Sequence, residues 1–212
     1  MKKVTVISVH PDDETLGCGG TLFKHKACGD SINCIFVTSG NADQRKMIAA
    51  LEACYGFDTT ICLDLSEITL ADMPLGSIIG PLSQALNRLR PEILYIPNRS
   101  DVHSDHRKVF EALMACTKAF RYPYIEQILM CEVISETDFA PALTENAFVP
   151  NVYVDISFHM QQKREAIAIF QSELMEEPYT RSLSAIEALS RYRGSQINAL
   201  HAESFMLLKM IR

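Results

Sequence analysis

VTVISVHPDDETLGCGG, residues 4–20, runs from a β-branched apolar segment straight into a histidine and three carboxylates, then into a glycine-rich stretch. The first part reads as a buried strand over residues 3–9. Beyond it, Leu16, Leu22, Phe23 and Ala27 recur at helical spacing, which predicts a helix over 14–28 that stops at Gly29. Asp12, Asp13 and Glu14 repel one another and are costly to desolvate. A chain that places them at the end of a buried strand needs a cation, solvent or a helix N-terminus to compensate them.

The strand-then-helix pattern repeats outward from this stretch. NCIFVT (33–38) predicts a second strand and 44–55 a helix stopped at Gly56; TTICLDL (59–65) predicts a third strand, followed by a polar loop and a helix through SIIGPLSQALNRLR, where Pro81 is the weak point. EILYIP (92–97) predicts the fourth strand, NRSDVHSDH a loop and RKVFEALMACTKAF a helix. In the second half, YIEQILMCEVI and NVYVDI read as strands, and 158–171, 182–193 and 202–211 as helices. The alternation argues for parallel pairing. We therefore expect an α/β fold: a Rossmann-like, three-layer open sheet, mostly parallel, with helices on both faces and a C-terminal elaboration. No repeat, low-complexity run or Gly/Ser linker divides the chain, so residues 1–212 are expected to form a single domain.

Composition narrows the function. With 212 residues, 48% of them apolar, the chain can bury a substantial core, as a monomer or as a homo-oligomer. The 26 acidic residues outnumber 20 scattered Lys and Arg, giving a net charge of −6, which argues against nucleic acid or an anionic membrane as partner and for a small molecule. The apolar run near the N-terminus is too short for a secretory core, and no segment approaches the roughly 20 apolar residues of a membrane span. Seven cysteines without a CxxC, mostly inside apolar periodic segments, read as reduced, buried thiols of a cytoplasmic protein.

In open α/β sheets the loops leaving the carboxyl ends of the strands share one edge, where ligands bind. Two such loops here carry metal-ligand chemistry, HPDDE after the first strand and DVHSDH after the fourth. A catalytic divalent site takes three His or Asp/Glu ligands and leaves a position for water, and His10, Asp13 and His106 can supply that set. Asp12, between two of them, can face the activated water as general base. His103 is either a third imidazole ligand or a neighbouring group that stabilises an oxyanion. Zn²⁺ is the expected metal, although the same donors accept Fe²⁺ and other divalent ions. The competing structural explanation is that the aspartates cap a helix and the HxxH pair is a solvated helix start. GCGG lacks the GxGxxG spacing of a phosphate loop and is better explained by close helix–sheet packing. Two other functional classes use similar residues. A phosphate-ester metallohydrolase would need basic clamps, for which the loops offer Arg99 and Arg107; the other class is a non-catalytic carbohydrate- or nucleotide-binding module.

SVHPDDETLGCGGTL and DVHSDHRKVFEAL resemble the two signatures of the LmbE-like, or PIG-L, family of metal-dependent N-deacetylases, with Ser104 where the family commonly has proline. TSGNADQRK, PNVYVDISFHMQQKREAIAIFQSEL and HAESF resemble further family segments, so the likeness extends over most of the chain. It departs at Met47 and Ile48, where a glutamate is common, and at Glu67, where an aspartate commonly helps bind substrate. The resemblance implies zinc ligated by His10, Asp13 and His106, Asp12 as base, His103 as a non-ligand imidazole assisting charge development, and Arg45 near the substrate. It also implies a reaction, hydrolysis of an N-acetyl group on an amino sugar or glycoside of the N-acetylglucosaminyl type, with zinc-activated water as nucleophile.

Overall fold

The structure is a computed structural model that describes residues 1–67 and 69–212. Its centre is a seven-stranded sheet, formed by β1 (Lys3–Ser8), β2 (Ser31–Thr38), β3 (Thr59–Leu65), β4 (Ile93–Ile96), β5 (Gln127–Cys131), β6 (Val152–Asp155) and β7 (Ala202–Met210), in the order β3-β2-β1-β4-β5-β7-β6. β1 to β5 pair in parallel, while β7 runs antiparallel to both β5 and β6. The direction of winding reverses between β1 and β4, and this reversal opens the crevice where α/β sheets bind ligands.

Strand alternation explains why helices cover both faces. In β2, Ile32, Cys34 and Phe36 join one core cluster while Ile35 joins the other. The first cluster receives α1 (Asp13–Ala27), α2 (Ala42–Tyr55), α5 (Met160–Ile167) and α6 (Leu183–Ser195) through residues such as Leu22, Leu51, Ile167 and Ile186. The second receives α3 (Leu75–Leu89) and α4 (Ser104–Ala115) through Ile78, Leu82, Leu86, Val109 and Leu113. α3 continues through Pro81 because Ile78, Leu82, Ala85, Leu86 and Leu89 bury one continuous face, which outweighs the single lost backbone donor. Among the described residues, no helix is long and apolar enough to cross a membrane.

Two expectations for the second half are corrected. Residues 202–211 are not a helix: Ala202–Met210 is β7, wedged between two strands. A strand covered on both faces reads as an apolar run that periodicity cannot tell from a buried helix. The helix expected over 158–171 is α5 alone, with 3₁₀ turns on either side and a break at Phe170. Of the cysteines, Cys18, Cys34, Cys116 and Cys131 are buried, Cys54 and Cys62 are partly covered, and Cys28 is exposed; none is in a disulfide.

The glycine-rich stretch supports the packing explanation. A Cβ on Gly17 would lie 2.9 Å from Cys131 Cβ on β5, and one on Gly20 would lie 2.7 Å from Ile156 Cδ1, so α1 seats directly on its neighbours. α1 also breaks at Cys18, whose φ/ψ of −148°/20° is non-helical. The break frees backbone groups, and a buried ion pair satisfies them. Glu203 on β7 accepts from the N–H groups of Gly20 and Thr21 at 2.9 and 2.7 Å. Lys163 on α5 donates to Leu16 O at 3.0 Å and to Glu203 Oε1 at 2.6 Å. The Lys163 and Glu203 side chains are almost fully covered, at 3% and 4% exposure. Removing one partner strands the other charge in the core. Lys163→Met and Glu203→Gln are each expected to lower stability by about 3 to 5 kcal/mol, while the double variant carrying both loses less than the sum, as read by urea unfolding.

Candidate metal centre and cleft

The HPDDE turn separates three adjacent carboxylates into three environments. Glu14 turns inward, accepting from Ser8 Oγ at 2.7 Å and Thr15 Oγ1 at 2.6 Å, and burial pushes its carboxyl up to about 7. It belongs to the packing beneath the turn. Asp13 opens α1, and its Oδ2 accepts the backbone N–H of His10 at 2.8 Å. Asp12 precedes the helix, but its side chain makes no capping bond; its carbonyl alone accepts from Thr15 and Leu16. Capping therefore does not account for the paired aspartates.

The loop after β4 brings His106, in the first turn of α4, against Asp13. His106 Nε2 lies 3.2 Å and His10 Nδ1 3.7 Å from Asp13 Oδ2. The imidazole of His106 is fully buried, and its Nδ1 shares a 2.8 Å hydrogen bond with Asp101 Oδ2, which orients the ring and directs Nε2 toward Asp13. Thr137 Oγ1 donates to the other Asp101 oxygen at 2.7 Å. Despite this closeness, His106 Nε2 and Asp13 Oδ1 are buried without any hydrogen-bond partner. Buried polar atoms left unpaired cost about 1 to 3 kcal/mol each, so two of them in this pair of residues need a reason. A cation supplies one: donors bonded at 2.0–2.1 Å to a tetrahedral ion stand roughly 3.3 Å apart, close to the separations found here. The ligand atoms of His10, Asp13 and His106 all lie within 4.8 Å of one another. These residues fit a divalent ion.

The charges of the group agree with that fit. Burial alone would raise Asp13, but His106 and His10 outweigh it and hold its carboxyl far below the usual range. Burial opposes the charge on His106, yet Asp13 and Asp101 raise it well above an ordinary imidazole. Asp12 is pushed up to about 6, first by burial and then by the charge of Asp13, with Arg181 pulling the other way.

His103 sits beside the centre, its ring 4.7 Å from that of His10. Its Nδ1 accepts the backbone N–H of Asp105 at 3.1 Å, which assigns its hydrogen to Nε2. Burial and the nearby His10 lower its pKa below that of an ordinary imidazole. A second grouping of donors, His10 with His103 and Asp105, also lies within 4.8 Å. Asp105 Oδ2 is 3.3 Å from His10 Nε2, placing that carboxylate behind the ring of His10.

Asp12 and His103 border a cleft of about 640 Å³ together with Gln44, Glu67, Glu136 and Arg181. Arg181, just before α6, was not singled out by the sequence. Its Nη1 donates to Asp12 Oδ2 at 2.9 Å and its Nε to Ser135 Oγ at 2.6 Å. It stands 169 residues from Asp12 in a turn-rich segment, where no local pattern separates it from a solvated arginine. Arg45 does not line the cleft: its guanidinium is half exposed and pairs with Asp64 at 2.9 Å. Arg99 and Arg107 donate to backbone carbonyls, of Glu145 and of Asp101 and Val102 respectively, which leaves the phosphate-clamp explanation without its clamps.

The site and sheet define a class of protein, a doubly wound α/β fold with a His/Asp donor set at the switch between β1 and β4. The family model PIG-L, described as GlcNAc-PI de-N-acetylase, matches residues 5–117, and the chain belongs to this family of deacetylases. A curated relative, the uncharacterized deacetylase YaiS of Escherichia coli K12, is 29% identical over 166 residues, which cover 73% of this chain and 82% of YaiS. The conserved protein TT1542 from Thermus thermophilus superposes with a TM-score of 0.78 at 26% identity, over all of this chain and 97% of that one. N,N'-diacetylchitobiose deacetylase from Pyrococcus horikoshii has the same fold, with a TM-score of 0.77 and 19% identity over 98% of this chain and 84% of that one. So does GalB, the 4-carboxy-2-hydroxymuconate hydratase of Pseudomonas putida KT2440, with a TM-score of 0.75 and 15% identity over 100% and 98%. The fold thus carries more than one reaction.

Added Zn²⁺ is expected to raise the melting temperature of the parent protein and leave that of His106→Ala unchanged. Asp101→Asn is expected to bind Zn²⁺ about 10- to 100-fold more weakly, because His106 loses the acceptor that fixes its ring. Thermal melts with and without Zn²⁺ check the first, and isothermal titration of chelator-treated protein checks the second.

Proposed function

We propose that this protein hydrolyses the N-acetyl group of an amino sugar or glycoside of the N-acetylglucosaminyl type, using a divalent cation, Zn²⁺ first among candidates, held by His10, Asp13 and His106. The observation that carries the reading is the gathering of the His10, Asp13 and His106 donor atoms within 4.8 Å of one another at the sheet's switch point, with His106 Nε2, Asp13 Oδ1 and Asp12 Oδ1 buried and without hydrogen-bond partners. Membership of a deacetylase family supports the reaction type. The chitobiose deacetylase shares the fold, and its substrate, as its name gives it, is an acetylated amino sugar.

Bound there, such an ion supplies Lewis acidity, lowering the pKa of a coordinated water toward roughly 7 and drawing charge onto an acyl oxygen. The chain's own groups move the protons. Asp12 Oδ1, without a partner of its own, takes a proton from the attacking water. Arg181 holds the other oxygen of Asp12 and so fixes which one faces the reaction. His103 donates from Nε2 to the acyl oxygen as negative charge develops. It does so as a neutral imidazole, because Nδ1 is occupied as an acceptor. Asp12 then returns its proton to the departing amine, releasing acetate and a free amino group.

The test is acetate release from a panel of N-acetylated sugars and glycosides, with and without a chelator. On a substrate so identified, Asp12→Asn is expected to keep its metal while kcat falls by about 10² or more. Turnover by Asp12→Asn at the parent rate would remove Asp12 from the role, and a panel with no acetate release would remove the reaction.

A further inference from the structure

The charge around Arg181 does not balance. Three carboxylates converge on this one guanidinium: Asp12 at 2.9 Å, Glu136 at 3.6 Å and Glu173 at 3.9 Å. Glu136 is 8% exposed, lines the cleft, and has an Oε2 with no hydrogen-bond partner. Among the described residues that line the cleft, Arg181 is the only Lys or Arg, whereas Asp43 and Glu67 add two more carboxylates on the far wall. Lys46 offsets Asp43 from the exposed rim, at 3.1 Å, and Glu67 accepts from the neutral amide of Gln44. A divalent ion on His10, Asp13 and His106 would be partly neutralised by Asp13 itself, so the ion and Arg181 together would still leave Asp13, Asp12, Glu136 and Glu173 with negative charge in excess. Excess negative charge in a concave, partly desolvated wall attracts cations and repels anions.

We propose that the cleft takes N-acetylated amino sugars that also carry a free ammonium group, seated against Glu136 and Glu173 beside Arg181, and that it turns away anionic glycosides such as phosphate esters. The proposal rests on the deacetylase reading only for the N-acetyl group; the choice of charge comes from the cleft wall. It excludes a substrate whose sugar is joined through an anionic phosphodiester. Within an amino-sugar oligomer it favours units already bearing one amine over the fully acetylated chain.

The test is calorimetric binding of three probes of matched size to Zn²⁺-loaded protein at low ionic strength: mono-deacetylated chitobiose, N,N'-diacetylchitobiose and the 6-phosphate of the latter. The cationic probe is expected to bind about tenfold more tightly than the neutral one, the phosphate more weakly than either, and the cationic advantage to shrink at 0.5 M salt. Glu173→Gln, on a half-exposed side chain that can change without disturbing the core, is expected to reduce the advantage about threefold; Glu136→Gln is expected to do the same where it folds. Equal affinity for the cationic and neutral probes overturns the proposal. So does a preference for the phosphate that survives chelation, which removes its contact with a bound ion. If the order of binding holds but no probe yields acetate, charge selection stands and the deacetylase reading fails. If the neutral probe is deacetylated with no cationic preference, the reverse is true.

Discussion

Asp13 and His106 are buried against each other at a point where neither would be tolerated alone. An unpaired carboxylate in the interior costs several kcal/mol, and so does an imidazole whose second nitrogen faces no partner. Each is brought there by a different strand end, Asp13 after β1 and His106 after β4, and only the parallel pairing of those strands sets the two loops side by side. Asp101 and Thr137 extend the polar chain inward, so that the ring of His106 is held from behind while its other face is left for a ligand. The chemistry of the cleft depends on this arrangement, because Asp12, His103 and Arg181 take their positions around it.

Much of this was legible in the residues. The strand-helix rhythm of the first half is local, carried by β-branched runs and glycine stops, and the first four strands fall where those signals place them. His10, Asp13 and His106 could be read because their side-chain types are rare together and each follows a strand. Arg181 and Glu136 could not be read, since their meaning comes from tertiary placement: an arginine in a turn and a glutamate after a strand look like ordinary surface residues until the fold closes. β7 failed for a different reason. Its first residues, Ala202–Phe205, are buried whether polar or apolar, so the alternation by which a strand is told from a helix is missing from them. Arg45 is the opposite case, a residue whose family pattern pointed to the substrate while its guanidinium pairs with Asp64 and does not line the cleft.

The pair formed by Lys163 and Glu203 gives the second half of the chain a part in shaping the first. α1 carries Asp13 at its start and a break at Cys18 one turn later, and a helix broken so early would leave its first turn poorly anchored. Glu203 caps the continuation of the helix, and Lys163 binds the carbonyl that the break leaves free. The segments containing these two residues, QQKREA and HAESF, thus act on the geometry of the HPDDE turn without touching the cleft.

β7 follows every other strand in sequence yet lies between β5 and β6 in space. A chain emerging from the ribosome can therefore assemble β1 to β5 first, but β6 has no edge to join, and the broken helix no cap, until residues 202–210 arrive. Formation of the HPDDE turn is in this way coupled to a segment made long after it, so a nascent chain stalled before residue 202 would expose the edge of β5 and hold an unfinished HPDDE turn.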